Sequence, residues 1–161
     1  MKRRQTSSMH AKISGNFGEA LVLYWLSKHG FECAEVDHTG IDIIASNPKT
    51  GKLMGISVKC RTRIKKGTER ECVTIRDGEF AKMKAACKEF RCEPFFAIVV
   101  DARNVIRVFI TSKSNFLKLS PRRVNSYWRM TKECLTKYAS DKNVIAFELE
   151  STVGRWWEAK G

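Results

Sequence analysis

The sequence predicts an α/β fold with a mixed sheet, and three observations carry that expectation. Helix-like and strand-like segments follow one another as helix, three strands, helix, then strands again. Turn residues, Pro48-Lys49-Thr50-Gly51, separate two apolar strands with hairpin chemistry. A run of apolar and aromatic residues, Phe95 to Val100, suits a central strand buried on both faces. The 161 residues are enough for one domain with a sizeable core. With 43% apolar and 29% charged residues, the composition is globular rather than disordered.

In chain order, Ser14 reads as an N-cap for a first helix, Gly15 to His29, closed by Gly30. Phe17, Leu21, Tyr24 and Trp25 share one face, but Val22, Leu23 and Leu26 make the other faces apolar, so this helix is expected to be largely buried. Glu19 falls in its first turn, where the helix dipole favours a carboxylate. Strands are expected at Phe31 to Val36, Ile41 to Ser46, Lys52 to Arg61 and Cys72 to Ile75. Asp77 then caps a helix from Gly78 to Phe90, with Phe80, Met83, Ala86 and Cys87 on one side. Beyond Phe95 to Val100, a turn at residues 101–104 leads to a strand from Val105 to Thr111. Helices at Ser112 to Leu119 and Thr131 to Ala139, and a strand at Val144 to Leu149, complete the set. Residues 1–12 read as a basic arm, 13–150 as one domain, and 151–161 as a tail carrying Trp156 and Trp157.

Thirty Lys and Arg against seventeen Asp and Glu leave a net charge of +13, which favours a polyanionic partner, nucleic acid first. The longest nearly apolar stretch, Ala20 to Leu26, is far short of the roughly 20 residues that span a bilayer, so no membrane role is expected. Six cysteines lack any Cys-x-x-Cys pair, and the three histidines have no ligand spacing to them. Free thiols in a reducing cytoplasm are the expectation.

The hairpin fixes a register. With 48–51 as its loop, Asn47 faces Lys52, and counting back places Asp42 opposite Ser57. Side chains alternate along a strand, so Asp42, Ser57 and Lys59 become neighbours on a polar, solvent-facing surface, while Ile56, Val58 and Cys60 take the other face. A carboxylate beside further oxygen ligands can hold a hard divalent cation, and Mg²⁺ needs only one or two carboxylates because water and phosphate complete its shell. A neighbouring lysine can orient an attacking water or offset charge on a phosphodiester undergoing hydrolysis.

Gly18-Glu19 on a first helix, then Gly40-Ile41-Asp42, then Ile56-Ser57-Val58-Lys59 on the next strand resemble the PD-(D/E)XK nuclease superfamily. The spacing is most similar to the archaeal Holliday-junction resolvases. The resemblance covers residues 14 to about 101 and implies a restriction-endonuclease-like αβββαβ core. It implies a metal-dependent DNA endonuclease using Mg²⁺, with Mn²⁺ as a substitute, DNA as partner, no small-molecule cofactor, and room for a homodimer. Asp42 carries over as the metal-binding aspartate, Lys59 as the catalytic lysine, and Glu19 as an acid near the metal. Members usually have Glu, Asp or Gln where this chain has Ser57, a weaker and neutral ligand. The Val58 carbonyl is a further ligand that the resemblance suggests. The departure at Ser57 supports an alternative, a nucleic-acid-binding protein of the same fold with a degraded site.

Two basic stretches offer phosphate contacts. Arg61, Arg63, Lys65 and Lys66 continue from the proposed site, and Arg122 and Arg123 open a second cluster in which Tyr127-Trp128-Arg129 interleaves rings with cations. Trp128 is read as core more readily than as a stacking platform.

Overall fold

The computed structural model describes residues 8–63, 65–121 and 123–150. The central sheet has six strands in the order β1-β2-β3-β5-β6-β8. These are β1 (Glu32–His38), β2 (Ile41–Ser46), β3 (Leu53–Arg63), β5 (Glu93–Ala102), β6 (Val105–Ser112) and β8 (Val144–Glu150). A separate ribbon pairs β4 (Val73–Ile75) with β7 (Ser126–Trp128). The β3–β5 pair is parallel and every other neighbouring pair is antiparallel. Parallel strands need a crossover, and α2 (Asp77–Glu89) supplies it. The expected αβββαβ order is therefore present, with β4 inserted before α2.

Helix α1 (Ser8–Lys28) covers one face of the sheet, where Val22 and Leu26 meet Ile43, Ala45, Ile56, Val58, Ala97 and Val99. The opposite face packs against α2, α3 (Lys113–Leu119), α4 (Lys132–Ser140) and the ribbon. β5 lies between these layers, and every residue from Phe96 to Val100 is buried, as its unbroken apolar run predicts. Each short helix starts on a hydroxyl cap: Ser112 accepts the Asn115 N–H, and Thr131 accepts the Cys134 N–H.

Three expectations need correction. Helix α1 reaches back to Ser8, so Ser14 lies inside it, Glu19 sits mid-helix, and residues 8–12 of the expected arm are helical. Nor is α1 largely buried. A helix outside a sheet packs one stripe, and Phe17 (42% exposed) and Tyr24 (64%) face away from it. The surface carrying Asp42, Ser57 and Lys59 is not open to solvent either, because α2 crosses it, and Ser57 is only 4% exposed. Strand β7 had no expected counterpart: Trp128 is fully buried there, with its ring 3.8 Å from that of Tyr138. Arg122 and the tail with Trp156 and Trp157 lie outside the described residues.

Candidate functional site at the open end of the β2–β3 hairpin

The hairpin has the register that its turn dictates. Ser46 pairs with Leu53, Ala45 with Met54, Ile44 with Gly55 and Ile43 with Ile56, where the ladder stops. One step on, Asp42 replaces a backbone partner with its side chain, and Oδ2 accepts the Val58 N–H at 2.6 Å. The Ser57 hydroxyl also donates to Asp42. Within a strand a residue's N–H and C=O point to the same side, so the Val58 carbonyl also faces the side that β2 has left.

Two glycines bring the helices to this point. A Cβ on Gly18 would stand 2.6 Å from the Cys60 Cβ, so only glycine lets α1 lie this close to β3 and hold Glu19 beside the hairpin. Gly40, at φ +108°, turns the chain into β2, and a Cβ there would meet the Lys82 backbone of α2 at 2.5 Å. Glycine at position 40 thus permits α2 to close on the strand that carries Asp42.

Helix α2 contributes a group that the sequence pattern does not single out. Glu79 Oε1 lies 2.8 Å from the Lys59 Nζ, with the two side chains 32% and 18% exposed. The other carboxylate oxygen of Glu79 accepts the Arg76 N–H at 3.0 Å, half of a capping box. An acid at the third position of a helix reads as a cap, and nothing local reveals the lysine it meets. Its sequence signal is the Arg76-x-x-Glu79 spacing alone.

Burial raises the carboxyl of Asp42 above its ordinary value, and Glu79 adds to the shift, while the Val58 N–H, Lys59 and Ser57 work against it. The Glu19 carboxyl is also raised, by burial first and then by the charges of Asp42 and Glu35. Burial acts on Glu79 in the same direction, but the Lys59 ammonium and the Arg76 N–H outweigh it and bring that carboxyl below its ordinary value. The charge of Asp42 thus acts on Glu19, and a cation beside them would relieve that repulsion. Among the described residues no three His, Cys, Asp or Glu side chains converge into a cage. The donor set fits a largely hydrated Mg²⁺ held by one or two carboxylates, not a structural metal held by protein alone.

The basic residues separate into two kinds. Arg61 Nη1 donates to the Cys60 carbonyl at 2.8 Å. Arg63, expected to contact phosphate, is instead tied inward: Nη2 donates to the Cys72 carbonyl at 3.1 Å, and Nη1 lies 3.6 Å from Glu71. It fastens the end of β3 to the start of β4. Lys65, Lys66 and Arg123 are exposed. A cavity of about 610 Å³ between the first turns of α1 and the end of β3, lined by His10, Ile13, Ser14, Cys60, Arg61 and Thr62, does not include Asp42, Lys59 or Glu79.

Comparison with known proteins agrees with this architecture. The Holliday junction resolvase Hjc of Archaeoglobus fulgidus matches with a TM-score of 0.51 and 18% identity, over 74% of this chain and 90% of the resolvase. That likeness shows the fold, a mixed central sheet flanked by helices like that of the resolvase. No protein-family model matches the chain. A UPF0102 protein of Caldicellulosiruptor bescii is 30% identical over 122 residues, which are 70% of this chain and 95% of that protein. With nearly the whole of that relative matched at 30% identity, the chain belongs to the UPF0102 family.

Proposed function

We propose that this protein is a metal-dependent DNA endonuclease that hydrolyses phosphodiester bonds, with branched DNA as the substrate class that the likeness to Hjc suggests. The observation that carries the reading is the juxtaposition of a half-buried carboxylate, Asp42, with the half-buried ammonium of Lys59 where the β2–β3 ladder opens. Burial of Asp42 costs more than its partners return, since its carboxyl stays raised, and such groups are candidates for a functional site.

In this reading Asp42 would hold Mg²⁺, or Mn²⁺ in its place, with the Val58 carbonyl and the Ser57 hydroxyl as neutral neighbours and Glu19 acting through water. The cation would supply Lewis-acid stabilisation of the phosphate. Lys59 steadies negative charge on the scissile phosphate or orients the attacking water. The Val58 N–H and the Ser57 hydroxyl fix the rotamer of Asp42. The exposed Lys65, Lys66 and Arg123 lead the DNA backbone, and the net charge of +13 draws it in.

A second reading, DNA binding without cleavage, is favoured by one observation: Ser57 is buried, neutral and already bonded to Asp42. Cleavage of linear, branched and single-stranded DNA with Mg²⁺ or Mn²⁺ separates the two. The enzyme reading expects wild-type cleavage that falls by roughly 100-fold or more in Asp42→Asn and Lys59→Ala, with DNA affinity retained. Purified wild-type protein that cuts nothing under either metal gives the second reading. Cleavage that survives both substitutions places the chemistry elsewhere.

A further inference from the structure

We propose that Glu79, on α2, is the positioning residue for Lys59, so that the helix supplies the anionic anchor that the strand itself lacks. The inference rests on the nuclease reading above and names a residue that reading does not use. The strand offers no such anchor, since position 57 is a buried serine and, among the described residues, Asp42 on β2 acts on Lys59 without forming an ion pair with it. Among the described residues, the ion pair of Lys59 is with Glu79.

A lysine side chain is long and carries about 2 kcal/mol of rotamer entropy, so aiming its ammonium at one spot requires a fixed partner. Glu79 is fixed twice. Its Oε2 is held by the Arg76 N–H at the helix start, which turns Oε1 towards Lys59. The next residue, Phe80, is buried and sets its ring edge-on against Phe96, 5.4 Å between centroids. Neighbouring residues of α2 thus divide the work: Phe80 locks the helix into the core, and Glu79 passes that fixed position to the lysine. The close approach of Gly40 to Lys82 holds the same helix on the Asp42 side. Helix α2 therefore aims Lys59 and packs beside the turn that leads to Asp42, although it contributes no group to the reacting centre.

Capping and positioning are separable, because glutamine serves a capping box as glutamate does but carries no charge for Lys59. Glu79→Gln is expected to keep the wild-type KM for DNA and to lower the melting temperature only by the cost of leaving Lys59 without its ion partner. Its kcat should fall on the order of 100-fold, the cost of misplacing a reacting group by about 1 Å. A merely structural role would lower the melting temperature and leave kcat per folded molecule unchanged, and that pattern overturns the proposal. A second readout does not need cleavage: the rate at which an amine-acylating reagent labels Lys59, read by peptide mass spectrometry. Lys59 should label several-fold faster in Glu79→Gln than in wild type, and equal rates overturn the proposal. A wild-type protein that cleaves nothing removes the nuclease reading while the labelling ratio still decides whether Glu79 holds Lys59. Wild-type cleavage with Glu79→Gln equally active leaves the nuclease reading standing and removes Glu79.

Discussion

Two halves of the same sheet face meet their helices in opposite ways. Beside β2 and β3, α2 closes over Asp42, Ser57 and Lys59 and brings its own Glu79 to them, so charged and polar groups lie between a strand and a helix. Beside β5 and β6, α3, α4 and the ribbon close over rings: Trp128 stacks on Tyr138 and on Phe116, and Phe109 fills in beside them. The polar groups buried in that second half are neutral, such as Thr111 and Asn115, which hydrogen-bond each other at 3.1 Å. A half-buried charge weakens a fold unless paired, whereas a buried ring strengthens it. The second half draws stability from its rings, and the first needs an ion pair and hydrogen bonds to carry its charges.

Substitutions in the two halves should therefore have opposite signatures. The largest effect belongs to Trp128→Ala, which opens a cavity in the ring cluster and should cost about 3–5 kcal/mol in urea unfolding. Cleavage per folded molecule should stay at the wild-type level, and a specific loss of activity would break the division between the halves. Next comes Gly18→Ala. The new Cβ would force α1 off Cys60, for about 1–3 kcal/mol, and would carry Glu19 with it. Cleavage should fall further than the loss of folded protein explains, whereas a proportional fall would take Glu19 out of the site.

A smaller effect tests the charges directly. Asp42 and Glu19 have carboxyls raised by burial, so their contribution favours the fold at low pH and is lost as pH rises through the raised values. At neutral pH, Mg²⁺ at ten times its dissociation constant should restore about 1.4 kcal/mol, or a few degrees of Tm. That gain should vanish as pH falls and the carboxyls take up protons. Asp42→Asn should melt above metal-free wild type at neutral pH and ignore Mg²⁺. A variant that still responds to the ion would move the metal elsewhere. The smallest effect concerns the surface. Replacing Lys65 and Lys66 with alanine should lower the salt slope of DNA binding by about 0.9 for each phosphate that is no longer neutralised. Arg63→Ala should instead lower stability and leave that slope alone, since its guanidinium serves Cys72 and Glu71.

How much of the molecule is legible in its sequence depends on distance along the chain. The limits of β2, the loop at 48–51 and the register up to Ile43–Ile56, one step short of Asp42, all follow from turn chemistry and side-chain alternation within about twenty residues. The buried face of α2, namely Phe80, Met83, Ala86 and Cys87, follows from helical spacing in the same way. Where expectation and structure part, the signal is local but the outcome is not. Ser14 has the chemistry of a cap, yet the helix continues through it. The reading of Trp128 as core holds, but the strand that turns it inward by pairing with β4, and leaves Tyr127 exposed, has no local signal.

The sequence by itself determined the strand register, the central place of β5 and the face on which Asp42 and Lys59 meet, because period and turn type act between near neighbours. Only the tertiary structure decided that α2 would cover that face, that Arg63 would turn inward to β4, and that Glu79 would meet Lys59. Those contacts join residues on different elements, and they exist because the core packs α2 in one position, with glycines at 18 and 40 letting α1 and α2 approach the hairpin from either side. Periodicity fixes which face a side chain occupies. Its partner across the gap is fixed by where the neighbouring helix comes to rest.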